Sequence, residues 1–379
     1  MRLLIFAFAA ALAGCSALPV VQPAQEAWLL ADAAASESDP TTADEDIPEE
    51  ESLLALTPQM KQFAESAVAG VSSDNSRIRA LLQAIVDPKR LGLKFDETVT
   101  YSAAESFEYR RANCLSFSAL FVAMARHVGV EAHFNEVDVP PVWGLHDDML
   151  VMYKHINALV SGGHGRWMAI DLYPSEYDIS YPQRQISDQL ATAQYYNNLA
   201  VDFLRENRLG AARRYLARAI AIAPGISYLW GNLGASYQRG GEHTAAELAF
   251  LKAIRLEPRD HVASSNAARL FADIGQREIA EQLQRRAARF RQQNPYYRYR
   301  QALDALAADQ YGSARQHALA AIQLYGKEHR FHFLLGAVYR QLGDRERARQ
   351  SFVRAIELAD DEQASKYGRK MEILMSASL

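Results

Sequence analysis

Cys114 stands in the stretch YRRANCLSFSALF, residues 109–121, directly before an apolar run with helical character. A thiol at a helix start faces unpaired backbone N–H groups and the positive end of the helix dipole, and both favour the thiolate. To act as a nucleophile it needs a base, and the base needs a group that orients it. MLVMYKHINALV (149–160) and RWMAIDLY (166–173) read as two strands separated by SGGHG. Centring that hairpin on Gly163 sets Arg166 opposite Val160, Trp167 opposite Leu159 and Asp171 opposite His155. Directly opposed residues have Cβ atoms ~4.5–5.5 Å apart, so a carboxylate would lie beside an imidazole. Asn157 shares the strand face of His155, and Arg111 and Asn113 flank the thiol. His127, His133, His146 and His164 are weaker candidates for the base: His127 falls on the helix of Cys114 many residues on, and His164 in the hairpin loop. Taken singly, Cys114 reads as core packing and His155 as a satisfied histidine. Their joint arrangement with Asp171 favours a Cys–His–Asp site.

The elements that must position these groups follow from local signals. Thr57 and Pro58 mark an N-cap and first helical position. A second helix over about 74–87 places Ile78, Leu81, Leu82 and Ile85 on one face. The helix that begins at Cys114 runs over 114–128, ending near Gly129, and VEAHFNEVDV follows as a strand. RRANCLSFSALFVAMARHVGVEAHF, the later HINALV and AIDLYP resemble the transglutaminase-like superfamily of papain-type cysteine enzymes over about 98–190. The resemblance implies an α+β domain with an antiparallel sheet, Cys114 as nucleophile, His155 as general base and acid, and Asp171 as orienting carboxylate. The Cys114 backbone N–H would belong to the oxyanion hole. One position departs from the family pattern: Ala112 stands where relatives often carry glycine, and a positive φ there would strain it.

The C-terminal half is periodic. Residues 227–260 carry Trp230, Leu233, Gly234, Tyr237, Ala246, Phe250, Ala253 and Pro258, the signature of a tetratricopeptide (TPR) repeat. In steps of 34 the pattern recurs from 193, 261, 295 and 329, weakest in the third and fourth repeats. Such hairpins bury their faces only by stacking, which implies an all-α solenoid with a concave surface. Asn198, Asn232 and Asn266 occupy the sixth position of the first three repeats. A side-chain amide donates and accepts, as a peptide unit does. These three resemble the asparagine ladder of the O-linked N-acetylglucosamine transferase repeats, which implies a groove for a protein or peptide. Asparagines facing water or bonded to nearby backbone are an equal alternative.

MRLLIFAFAAALAGCS has a basic start and an apolar run over 3–12, too short to span a bilayer. Its end, Leu12-Ala13-Gly14-Cys15, resembles a bacterial lipobox, which implies cleavage after residue 14 and acylation of Cys15. Ser16, rather than Asp, favours the outer membrane, with the bulk of the chain facing the periplasm. Lipidation would leave Cys114 without an intrachain disulfide partner, since the chain has two cysteines. Residues 36–52 are acidic and lack a core pattern, so 15–55 reads as a lipidated, disordered tether. The expected organisation is then signal peptide 1–14, tether 15–55, α+β domain 56–192, five repeats over 193–362 and a capping helix over 363–379. Residues 1–192 hold 13 Lys+Arg against 26 Asp+Glu, and residues 193–379 hold 28 against 19. The basic half scatters its arginines along helical faces, which reads as solvated surface rather than a nucleic-acid site. No cofactor, metal or nucleotide pattern stands out.

Two functions fit these residues. One is a membrane-anchored cysteine hydrolase or acyltransferase acting on amide bonds, with the repeats holding a protein partner. The other is a repeat-based binding lipoprotein whose transglutaminase-like domain has retired from catalysis.

Overall fold

The computed structural model describes residues 18–36, 47–137, 144–146, 149–151, 155–162, 167–172, 183–293, 295–359 and 361–376. Cys15 and the lipobox lie outside them, as do residues 37–46 of the acidic segment.

The N-terminal part opens with α1 (Pro23–Ala34), a 3-10 turn (Glu50–Leu54), α2 (Pro58–Ala67) and α3 (Asp74–Val86). Thr57 caps α2 by accepting from Met60 N, and Ser73 caps α3 by accepting from Ser76 N. β1 (Lys94–Phe95), α4 (Ala103–Tyr109) and β2 (Arg111–Ala112) lead into α5 (Cys114–His127), which is buried along most of its length. Gly129, at φ +79°, then turns the chain out of the helix. β3 (Ala132–Val137), β6 (His155–Ser161), β7 (Trp167–Ile170) and β8 (Gln183–Ile186) form an antiparallel sheet in the order β7-β6-β3-β8. β4 (Gly144–His146) and β5 (Met149–Val151) make a separate hairpin. α5 packs on β6 and β3, and Phe134, Ile156, Ala158 and Val160 are buried in that core.

The repeats form five helix pairs: α6 (Asp188–Arg205) with α7 (Leu209–Ile222), α8 (Ser227–Arg239) with α9 (His243–Leu256), α10 (His261–Asp273) with α11 (Arg277–Gln293), α12 (Pro295–Ala307) with α13 (Tyr311–Leu324), and α14 (His329–Gln341) with α15 (Arg345–Leu358). α16 (Asp361–Ser376) covers α15. The architecture is thus an α+β domain followed by an all-α TPR solenoid. The small residues of the signature work as close contacts. A Cβ at Gly234 would meet Phe250 Cδ1 at 2.7 Å, and one at Gly336 would meet Phe352 Cδ1 at 2.6 Å.

The segment expected as a disordered tether is in part ordered. α1 lies against α7 and α9, with Leu29 and Ala33 fully buried. Lys252 Nζ pairs with Glu26 Oε1 at 2.6 Å, Tyr237 Oη donates to Asp32 Oδ2 at 2.8 Å, and Arg214 donates to Ser36 O at 3.0 Å. Leu53 is buried and Arg218 pairs with Glu50. Composition concealed this because the apolar residues of α1 are mostly alanine. Leu29→Ala should therefore lower unfolding free energy by about 2–5 kcal/mol, read from urea unfolding; an unchanged midpoint would mean that α1 does not dock.

Candidate functional site

The approach to Cys114 is fixed on both sides. β1 and β2 pair in parallel, with Lys94 N donating to Arg110 O at 3.0 Å and Asp96 N to Ala112 O at 2.9 Å. Arg111 forms an ion pair with Asp96. Asn113 is the N-cap of α5 and its side chain accepts from Ser116 N at 2.8 Å. Ser116 Oγ accepts from Tyr101 N at 2.8 Å, and Ser118 Oγ donates to Cys114 O at 2.7 Å. Cys114 is therefore the first residue of a 14-residue helix, and it is half-buried. Ala112 is fully buried in β2 and does not have a positive φ; that geometry falls on Arg110, at φ 54°. The feared strain at Ala112 is absent, because the turn that glycine would ease lies two residues earlier.

The hairpin register differs from expectation by two residues. Ser161 pairs with Trp167 and Ala158 with Ile170, so the pairing is centred one position later in sequence than Gly163. A two-residue shift preserves the face. Asp171 then lies past the end of β7, diagonal to His155 instead of directly opposite, and still within reach. His155 Nε2 and Asp171 Oδ2 are 2.6 Å apart, with side chains only 9% and 4% exposed. Cys114 bonds to the same imidazole. The thiol, imidazole and carboxylate donor atoms all lie within 4.8 Å of one another. Burial alone pulls the His155 pKa down, but hydrogen bonds and charge from Asp171 and Cys114 outweigh it and hold it at about 10. The 2.6 Å contact requires a proton between its two atoms. Two ligands of one metal ion, each ~2.0–2.2 Å from it, would stand farther apart, so the arrangement fits a proton relay better than ligation.

Around this group the sheet carries polar side chains that sequence reading passed over. Asn135 Nδ2 donates to Asn157 Oδ1 at 2.8 Å and to Gln183 Oε1 at 2.9 Å, linking β3 to β6 and β8. Glu136 accepts from Arg184 at 3.0 Å and from Gln194 of α6 at 2.6 Å. Thr100 Oγ1 donates to Asp202 Oδ2 of α6 at 3.0 Å. The signal available was the pair Asn135-Glu136 in an otherwise apolar strand. Of the other imidazoles, His127 pairs with Glu65, and His133 stacks near Trp167. His164 lies outside the described residues.

The three asparagines of the repeats do not form an open ladder. Asn232 and Asn266 are buried, 3% and 4% exposed, and Asn232 Nδ2 donates to Asn197 Oδ1 of the preceding repeat at 2.7 Å. Asn198 is half-buried and lies 3.4 Å from Asn197 Nδ2. The Asn232 amide is thus engaged in repeat-to-repeat packing.

A helix carrying a thiol at its N-terminus, packed on an antiparallel sheet and joined to stacked helix pairs, defines the class of this chain. The transglutaminase-like superfamily model matches residues 61–172, and tetratricopeptide repeat models match 192–223, 227–260 and 329–362. The chain carries a transglutaminase-like core domain followed by TPR repeats. It is 32% identical over 81 residues to the tetratricopeptide repeat domain-containing protein PYG7, chloroplastic, of Arabidopsis thaliana, covering 21% of this chain and 27% of that protein. The chain thus spans about a quarter of the length of that curated relative. Among solved structures, Cut9–Hcn1 of the APC/C is 20% identical over 48% of this chain and 38% of that one, with a TM-score of 0.25. MamA from Desulfovibrio magneticus RS-1 is 21% identical over 45% and 96%, with a TM-score of 0.26. YrrB, described as a TPR protein with an unusual peptide-binding site, is 17% identical over 47% and 92%, with a TM-score of 0.25. The repeats support protein or peptide binding, and the transglutaminase-like core is consistent with cysteine-based chemistry.

A histidine held above its unfolded value contributes stability that is complete below about pH 6.5 and lost as pH rises through about 10. Asp171→Asn should bring the His155 titration midpoint down toward its ordinary value and flatten this pH dependence. Histidine-selective NMR and unfolding at several pH values would measure both. A wild-type midpoint near 6.5 would contradict the geometry.

Proposed function

We propose that this protein is a cysteine acyl-transfer enzyme acting on amide bonds, with Cys114 as nucleophile, His155 as general base and acid, and Asp171 as its orienting carboxylate. The observation that carries the reading is the convergence of the three groups beside the N-terminus of α5, with the imidazole held protonated. In the resting pair the Cys114 proton lies on His155, and the thiolate attacks the amide carbonyl carbon. The developing oxyanion is met by the Cys114 backbone N–H, one of the unpaired donors at the start of α5. The tetrahedral intermediate collapses as His155 returns the proton to the leaving amine, which leaves a thioester on Cys114. His155 then deprotonates water or an acceptor amine. Attack on the thioester gives a carboxylic acid or a new amide and restores the thiol.

The repeats hold the protein partner in this reading, and Cys15 ties the chain by lipid to the cell envelope, at the outer membrane facing the periplasm. The support for the anchor is the lipobox-like Leu12-Ala13-Gly14-Cys15. Palmitate labelling of cells expressing the full chain, compared with Cys15→Ala, tests it: label in the wild type alone is expected, and equal absence in both overturns it.

For the chemistry, Cys114 should alkylate faster than free cysteine at pH 6–7. His155→Ala should slow that reaction about 10²–10⁴-fold, the usual share of a general acid–base group. Cys114→Ala should abolish turnover of any amide substrate trapped by activity-based labelling. A thiol no more reactive than free cysteine would favour the non-catalytic binding role instead.

A further inference from the structure

The buried amide beside the triad is the least explained polar group in the sheet. Asn157 is 1% exposed, and its Nδ2 has no hydrogen-bond partner. Its Oδ1 is fixed by Asn135 Nδ2, which is itself shared with Gln183 Oε1. That bond fixes which end of the amide is an acceptor and leaves the N–H end free. A desolvated donor without a partner costs stability and calls for a reason.

Its place in the strands supplies one. Asn157 lies two residues after His155 on β6, so the two share a face. The β6–β7 register runs from Ser161↔Trp167 to Ala158↔Ile170. One residue further brings Asp171 level with Asn157, where cross-strand neighbours have Cβ atoms ~4.5–5.5 Å apart. Asp171 Oδ2 is engaged by His155, and a carboxylate has lone pairs for further donors. Register therefore sets Asn157 beside the carboxylate.

We propose that Asn157 is a positioning residue whose free amide N–H serves the Asp171 carboxylate in the working site and holds it against His155. This rests on the Cys–His–Asp reading above. Cys114 from α5 and Asp171 beyond β7 both bear on His155, while β3 presents Val137 opposite. Asn157 would therefore be the neutral support that keeps Asp171 effective. The Asn135–Gln183 bond survives its removal, since Asn135 Nδ2 keeps its second acceptor.

The test uses the full chain with Asn157→Leu, and Asn157→Ala as the variant that adds no branched bulk. Three quantities are read: the thermal midpoint, the His155 titration by NMR, and the rate of Cys114 alkylation at pH 6. Thermal stability of Asn157→Leu should be unchanged or raised, because an unpartnered buried donor is removed. The His155 midpoint should fall by about one unit or more in either variant, and alkylation of Cys114 should slow. If either folded variant leaves the His155 midpoint and the alkylation rate at wild-type values, the proposal is overturned. A large loss of thermal stability with an unmoved His155 midpoint would assign Asn157 a structural role, which also overturns it. Failure of the triad reading itself looks different: the wild-type His155 midpoint would then already lie near its ordinary value.

Discussion

The 2.6 Å contact between His155 Nε2 and Asp171 Oδ2 is where the local rules of this fold converge. It exists because β6 and β7 pair in a register that keeps both residues on one face, and that face is set by the two-residue period of a strand. A one-residue slip would send Asp171 to the opposite face and leave two ionisable groups apart in a dry sheet. The contact also decides the state of the imidazole. Burial favours neutral histidine, yet the carboxylate and the thiol outweigh it. The charge of the site thus comes from pairing, and its pairing from strand register.

The other half of the site is a helix start. α5 presents its first backbone N–H groups beside Cys114. What must be built is the angle of entry. The β1–β2 pairing, the αL conformation at Arg110 and the Asn113 cap share that work. A left-handed arginine costs about 1–2 kcal/mol relative to a right-handed one. It places the sharp turn at the end of α4, so that Ala112 can remain extended and buried.

Much of this was legible in sequence, for physical reasons that differ by element. The repeats show through small residues at close approaches, since a Cβ at Gly234 or Gly336 meets an aromatic ring. α2, α3 and α5 show through their caps and apolar period. The nearness of His155 and Asp171 showed because strand alternation survives an error of two residues in register, although their direct opposition did not. α1 was hidden: its buried residues include alanine, and its docking depends on Tyr237, Lys252 and Arg214, which lie about 200 residues away in sequence. The burial of Asn232 was hidden for the same reason. A side-chain amide reads alike whether it meets a peptide or the neighbouring repeat.

That distinction bears on how the two parts work together. α6, the first helix of the solenoid, is also a wall of the α+β domain. Gln194 reaches Glu136 on β3, and Asp202 accepts from Thr100, which in turn lies 3.4 Å from Asn113 Nδ2 at the α5 cap. Tyr228 of α8 is buried in the field of Glu136 and Arg184, and β5 touches α10. Groove-side positions of the first repeats are thereby spent on the chain itself. A rigid-body shift of α6 would have to break its bonds to Glu136 and Thr100, which favours the domain and the first repeat moving as one body. Partner recognition then falls to surface that these contacts leave uncovered, while the contacts themselves run within a few residues of both the thiol's helix cap and the histidine's strand.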